Sequence, residues 1–300
     1  MRISKLRKAL PVIYALSIVA LIATFIPALA HRAGGASRWI GWGPLHFQPA
    51  ELGKFLAVLF VANQISKKIG HQENFRTGFL TYFLGLIPIY VLLLKQPDFG
   101  SVALMLATTC AMLIGCGTKL RYLAATFMAL VPTAALLIMT SPYRKARVMG
   151  FLDPWSDPAH KGFQIIQSLL AFFSGQWFGV GLGNSREKLF YLPEAHNDFI
   201  FAVVGEELGL FGVVFFVMLF SVLIWRGLLA AQRARSGFSQ ALAIGITTLI
   251  GLQAFFNMAV VLGLLPTKGL PLPLISYGGS SIIMTLFLLG LLVQLSEKNV

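Results

Sequence analysis

FIFAVVGEELGLFGVVFFVMLFSVLIWR, residues 199–226, is apolar or glycine at every position except Glu206, Glu207, Ser221 and Arg226. A helix needs about 20 such residues to cross the hydrocarbon of a bilayer, so this stretch reads as a transmembrane span. Seven more runs behave the same way, giving candidate spans at 10–30, 49–66, 76–95, 99–117, 121–140, 198–226, 238–263 and 273–296. The whole chain agrees. It is 57% hydrophobic, only 12% charged, and its mean hydropathy is +0.77, whereas soluble domains carry about 25% charged residues. The expected fold class is all-α: a polytopic bundle of about eight membrane helices forming a single domain over 1–300.

An excess of 24 Lys and Arg over 11 Asp and Glu suggests an anionic partner. No basic stretch separates from the apolar runs, however, so the partner is membrane lipid and not nucleic acid. The basic residues of 1–8, 67–76, 119–121 and 226–235, with Lys298, fall on one side of the predicted topology, while the short loops opposite hold only Arg32, Arg38, Lys95 and Lys268. The positive-inside rule therefore places both termini in the cytoplasm. Ala28-Leu29-Ala30 resembles a signal-peptidase site, but the apolar run before it exceeds the 7–15 residues usual for a signal peptide, favouring a retained span. Cys110 and Cys116, six apart in one apolar run, lie on different helix faces and read as buried apolar side chains.

Segment 141–197 is much the longest connection, and long loops in compact proteins are usually functional or disordered. Its apolar and aromatic stretch 163–178 predicts an amphipathic helix lying in the outer interface. This large extracytoplasmic loop leads into Glu194, His196 and Asp198, three polar groups at the outer edge of a span and a candidate acid–base site. A plainer duty is also open to Asn197 or Asp198, namely capping the helix that follows. Inside the spans, Glu51 and Lys54 share one side of the second, and Glu206 and Glu207 lie about 12 Å into the sixth. Intramembrane charges pair or face a cavity, so an ion pair from Lys54 to Glu206 or Glu207 is expected, structural or catalytic in purpose. Residues 34–40 read as a flexible loop pinning Arg38 beside Trp39. The glycines at 175, 179, 181 and 183 and the stretch PTKGLPLPLISYGGSS (266–281) offer backbone N–H groups, the Ser276, Ser280 and Ser281 hydroxyls and Lys268, all suited to phosphate.

The blocks GGASRWIGWGPLHFQPAELGKF (34–55), QPDFGS (96–101), FLDPWSDPAHKGFQIIQSLLA (151–171), FGVGLGNSREKLFYLPEAHNDFIFAVVGEELGL (178–210) and QAFFNMAVVLGLLPTKGLPLPLISYGGSS (253–281) together resemble the SEDS family (shape, elongation, division and sporulation), closer to its FtsW branch than to RodA. The GASRW block follows the third span in family members and the first here. The resemblance thus implies a chain lacking the first two transmembrane helices, either a natural short form or one whose start was assigned too late.

That resemblance implies an inverting peptidoglycan glycosyltransferase. It would polymerise lipid II at the outer face of the bacterial cytoplasmic membrane and release undecaprenyl pyrophosphate. The implied partners are a class B penicillin-binding protein and the divisome or elongasome proteins. The family's essential aspartate falls on Asp198, expected to act as general base on the attacking sugar hydroxyl. Proton transfer late in an oxocarbenium-like transition state lets an ionised carboxylate serve, by analogy with inverting glycosidases. Arg38, Lys54, Lys268, Ser280 and Ser281, with Glu194 and His196 nearby, are the candidates for holding the pyrophosphate, and a divalent cation, Mg or Mn, would suit it as well. The rival functions are a lipid II flippase, which should show midplane charges and internal repeats, and a non-catalytic scaffold for the penicillin-binding protein.

Overall fold

The computed structural model of the chain describes residues 3–33, 36–42, 45–67, 80–140, 142–160, 162–185, 196–267 and 269–297. Its contacts group into two compact units built from interleaved segments: 1–123, 223–252 and 279–300 in one, and 124–222 with 253–278 in the other. Four helical stretches are long and apolar enough to cross a membrane among the described residues, within Lys5–Ala23, Ile200–Gln232, Gly237–Val261 and Gly279–Glu297.

In the first unit α1 (Ile3–Ala23) packs on α2 (Pro49–Lys67), which is buried along most of its length. α1 stops at Ala23, short of the span predicted to reach residue 30. The backbone then turns through Pro27, whose preceding residue is disfavoured in a helix. Gln96 meets the end of α1: its Nε2 donates to the Leu21 carbonyl at 3.2 Å and to Thr24 Oγ1 at 2.7 Å. One residue after the following proline, Asp98 caps α5 (Phe99–Gly115), accepting from the Ser101 amide at 3.1 Å and its hydroxyl at 2.7 Å. The third predicted span is interrupted. α3 (Thr81–Leu84) ends at Gly85 and α4 (Ile87–Lys95) restarts with Pro88 in its first turn, where a missing N–H costs nothing.

Of the stretch predicted as a flexible loop at 34–40, residues 36–40 instead belong to a small antiparallel sheet, β1 (Ala30–Ala33), β2 (Ala36–Trp42) and β3 (Leu45–Phe47), in that order. Ile40 pairs with Ala30 on one side and Phe47 on the other. β3 is tied to the start of α11 (Gly279–Glu297): the Ser280 hydroxyl accepts from the Gln48 amide and donates to the His46 carbonyl, both at 3.1 Å.

α6 (Leu120–Met139), in the second unit from Ala124 on, leads to α7 (Pro142–Leu152), a single 3-10 turn at Pro154–Ser156, and α8 (Phe163–Gly175). α8 is the predicted amphipathic helix, three residues shorter. Ile165, Ile166 and Ala171 are buried, while Leu169, Leu170 and Phe173 are exposed. α9 (Ile200–Gln232) runs on past Arg226, where the predicted span stopped, because a charge ends the apolar run without ending the helix. Its exposed Phe211, Phe215, Met218, Val222 and Trp225 recur every three or four residues, an apolar stripe with lipid as its natural solvent.

α9 is not one regular helix. Gly209 adopts φ 64° and ψ −162°, a conformation open essentially to glycine alone, and breaks it one turn after Glu206 and Glu207. An unbroken helix would bond the Leu210 and Phe211 amides to the Glu206 and Glu207 carbonyls. Here the backbone after α8 fits into the break and takes both sides of those bonds. Leu210 N–H donates to the Gln176 carbonyl at 2.8 Å and Phe211 N–H to that of Trp177 at 3.2 Å. In return Val180 and Gly181 donate to the Glu206 and Glu207 carbonyls at 2.9 and 3.1 Å. Gly175 and Gly179 are thereby explained by close backbone approach: a Cβ on Gly179 would lie 2.1 Å from the Glu207 carbonyl oxygen, and opposite it one on Gly209 would lie 2.5 Å from the Gly179 nitrogen, while Gly181 and Gly183 serve by their positive φ of 97° and 85°. Residues 176–181 form a strap against α9, where the sequence suggested a phosphate cradle.

Gly209→Ala should lower stability by about 1–3 kcal/mol, the usual cost of forcing a residue into so rare a conformation. Thermal unfolding in detergent reads this, and an unchanged midpoint would mean that the break is not rigidly held.

Candidate functional site

Asp198 lies in a turn at residues 196–199, two positions ahead of α9, and is half-buried. The backbone around it is held unusually tightly. Three successive carbonyls each accept a hydrogen bond from the second half of the unit: His196 from the Tyr277 amide at 2.9 Å, Asn197 from the Ser276 hydroxyl at 2.6 Å, and Asp198 from Asn257 Nδ2 at 2.7 Å. Asn257 comes from α10 (Gly237–Val261), is 2% exposed, and gives its other amide hydrogen to the Leu270 carbonyl at 2.7 Å. Gln253, one turn earlier on the same face, donates to the Pro271 carbonyl at 2.9 Å. Two amide side chains thus clamp the proline-rich segment 269–277 against the turn that carries Asp198.

The proline-rich segment has its own constraints. Leu274 sits at φ 67°, a left-handed conformation rare for leucine. The Leu272 amide donates to Ser276 Oγ at 2.7 Å, closing the turn around it. Gly269 faces the carboxylate itself: a Cβ there would lie 2.9 Å from Asp198 Oδ2, so glycine lets the backbone run beside the acid. Beneath lies a core cluster that includes Phe199, Phe201, Ala202, Ala254, Met258 and Leu272.

The other expected site residues divide between the two units. In the second, His196 is exposed beside Asp198, and Glu206 is buried, accepting from the Ser185 hydroxyl at 2.5 Å. Glu207 is half-buried, its carbonyl engaged by the strap. In the first unit, Lys54 Nζ lies 2.8 Å from Glu51 Oε1, both side chains almost wholly buried. Glu51, one turn back on the same helix, is thus an ion partner of Lys54. Arg38 donates through Nε to the Gln96 carbonyl at 3.3 Å and through Nη2 to that of Pro97 at 2.9 Å, using two of its five N–H donors. Ser280 and Ser281 are buried, and Ser280 is taken up by β3. Ser276 is likewise spent on the Asn197 carbonyl, so neither of these hydroxyls is the open phosphate donor predicted. Glu194 and Lys268 lie outside the described residues. Among the described residues no three His, Cys, Asp or Glu side chains are grouped to hold a metal ion.

Gln253 and Asn257 are what sequence reasoning missed. Their signal was present, since two amides one turn apart in an apolar helix need partners inside the protein.

The profile of the family described as "Cell cycle protein", covering FtsW, RodA and SpoVE, matches residues 1–300. The chain belongs to this family. A relative from Geobacter sulfurreducens named "Probable peptidoglycan glycosyltransferase FtsW" is 48% identical over 278 residues, 93% of this chain and 74% of that protein. One of the same name from Alkalilimnicola ehrlichii is 47% identical over 291 residues, 96% of this chain and 73% of the relative. Among solved structures, a chain from a peptidoglycan synthase complex, studied for its coordination of polymerization and crosslinking, superposes with a TM-score of 0.81 at 29% identity, covering 99% of this chain and 83% of that one. The Thermus thermophilus rod shape determining protein RodA gives 0.70 at 27% identity, over 98% and 79% of the two chains. The all-α expectation holds, with the small sheet as its one addition among the described residues, and the chain is a multi-pass membrane protein of the SEDS type.

Two expectations test the geometry. Asn257→Leu leaves the Asp198 and Leu270 carbonyls without their donor, at about 1–3 kcal/mol for each buried group, and should speed hydrogen exchange in peptides covering 196–202 and 269–277. Unchanged exchange in both would remove the clamp. Lys54→Met strands the Glu51 carboxylate and should cost about 3–5 kcal/mol, largely restored in the Glu51→Gln/Lys54→Met pair; thermal unfolding of the three variants measures it.

Proposed function

We propose that this chain is a peptidoglycan glycosyltransferase of the FtsW type, polymerising lipid II with Asp198 as general base. The observation that carries the reading is the clamp on 196–198. A loop free to move would serve a capping aspartate well enough. Fixing three consecutive carbonyls serves a carboxylate that must hold its direction toward a reacting group. The names of the relatives supply the reaction class, and family membership supplies the fold.

The chemistry then needs little from the protein beyond placement. The 4-hydroxyl of a GlcNAc on one lipid II attacks the anomeric carbon of the MurNAc on another. The oxygen–carbon bond forms as the bond to undecaprenyl pyrophosphate breaks, with inversion, and the hydroxyl proton passes to Asp198. Charge develops on the departing pyrophosphate, where fixed cations contribute most. Arg38, oriented by two carbonyls and with N–H donors to spare, and Lys268 are the proposed contributors. Lys54, bound to Glu51 and almost fully buried, takes the structural role. A divalent cation would arrive with the pyrophosphate, since Mg²⁺ needs only one or two carboxylates beside phosphate oxygens and water.

The orientation proposed from the basic residues puts Asp198 at the outer face of a bacterial cytoplasmic membrane, where lipid II sugars are in water and both chain termini are cytoplasmic. Partner crosslinking falls to a class B penicillin-binding protein. Asp198→Asn, purified with its cognate penicillin-binding protein, should lose about 10²–10⁴-fold in strand synthesis with unchanged thermal unfolding. Substantial residual polymer would take Asp198 out of the mechanism. Movement of labelled lipid II across vesicles without any polymer from the wild type would replace the enzyme by a transporter.

A further inference from the structure

The C-terminal part of α9 and the last turns of α11 enclose a groove of about 300 Å³, all within the first unit. That is the lower end of the range of small-molecule sites, about 300–1,000 Å³. Its walls are apolar, from Leu223, Ala230, Leu289 and Val293 among others, but Arg226 and Arg233 also line it. Seven residues apart, they share a face of α9 at about 10 Å separation along the axis. Gly227 and Ala230 lie between them in sequence and contribute to the groove's apolar lining.

The two arginines are unlike the chain's other well-placed cations. Lys54 has Glu51, Arg38 has the carbonyls of residues 96 and 97, and Arg7 donates to Asn63 at 2.8 Å. Arg226 and Arg233 are exposed and have no side-chain hydrogen bond or ion pair among the described residues. Ser296, also on the wall, spends its hydroxyl proton on the Val293 carbonyl at 2.7 Å. Both helices end here, and their last carbonyls carry partial negative charge. An anion enters such a place only where cations outweigh those ends, and the two guanidiniums supply that excess.

We infer that this groove binds one anionic phospholipid, its phosphate between Arg226 and Arg233 and an acyl chain along the apolar wall. Membrane residence provides the occupant, the paired guanidiniums select the negative headgroup, and the greasy floor explains why a lipid is preferred to free phosphate. On the orientation proposed above, the lipid belongs to the cytoplasmic leaflet. The inference stands whether or not the chain polymerises lipid II.

The test is retention of lipid by the purified full chain, exposed to equal amounts of phosphatidylglycerol and phosphatidylcholine and read by native mass spectrometry. The wild type should keep one phosphatidylglycerol in preference to phosphatidylcholine. Removing an arginine should cut that preference about fivefold, so that Arg226→Gln/Arg233→Gln loses about 25-fold. The control Lys5→Gln/Lys8→Gln removes the same charge from exposed positions on α1 and should keep the preference. Val293→Trp, at an exposed wall position, should displace the lipid with both arginines intact; it and the single arginine variants provide the reading should the double variant fold poorly. Equal retention of both lipids by the wild type, an equal loss in the lysine control, or an unaltered preference in the arginine variants overturns the inference. Retention of inorganic phosphate without lipid does so too.

Discussion

A peptide N–H or C=O in hydrocarbon finds its hydrogen bond within the protein or costs several kcal/mol. That requirement governs three irregular pieces among the described residues. Where α9 breaks at Gly209, the strap at 176–181 supplies the carbonyls and amides that the helix gives up. Where the chain turns at 196–198, Asn257, Ser276 and the Tyr277 amide supply the donors. Where α1 ends, the Gln96 side chain arrives. Polar side chains in the apolar runs are mostly spent in this way, which is why several that looked available for substrate turn out to be engaged.

The candidate site is a consequence of the same rule. Proline at 266, 271 and 273 removes donors and disfavours helix, leaving carbonyls at 270 and 271 that must be met from elsewhere. Gln253 and Asn257 meet those of Pro271 and Leu270, and Asn257 reaches the Asp198 carbonyl in the same act. One buried amide therefore joins the segment that cannot be helical to the start of the helix that bears the acid. Placement of the carboxylate and satisfaction of the backbone are a single arrangement.

Much of this was legible in the sequence. Apolar runs of sufficient length located the four helices that can cross a membrane among the described residues, and α8 was readable from its aromatic and aliphatic stretch, because burial periodicity and length are local properties. The family blocks singled out Asp198 directly. What escaped was set by partners distant in the chain. The strands at 30–47 depend on mutual pairing more than on a strong local pattern. The break in α9 depends on a strap some thirty residues earlier. Glycine at 179 reads as part of a phosphate-binding patch when it marks two backbones in contact.

The seating of Ser280 against His46 and Gln48 has a bearing on biosynthesis. These groups are more than 230 residues apart in the chain, and Phe55 of α2 also meets Phe287 edge-on, with ring centres 5.2 Å apart. A ribosome delivers α2 well before α11. The first unit therefore waits, incomplete, until α11 has emerged. A message cut short before residue 279 would release a product in which α2 and β3 have never met α11, and membrane proteases would have an exposed flank to recognise.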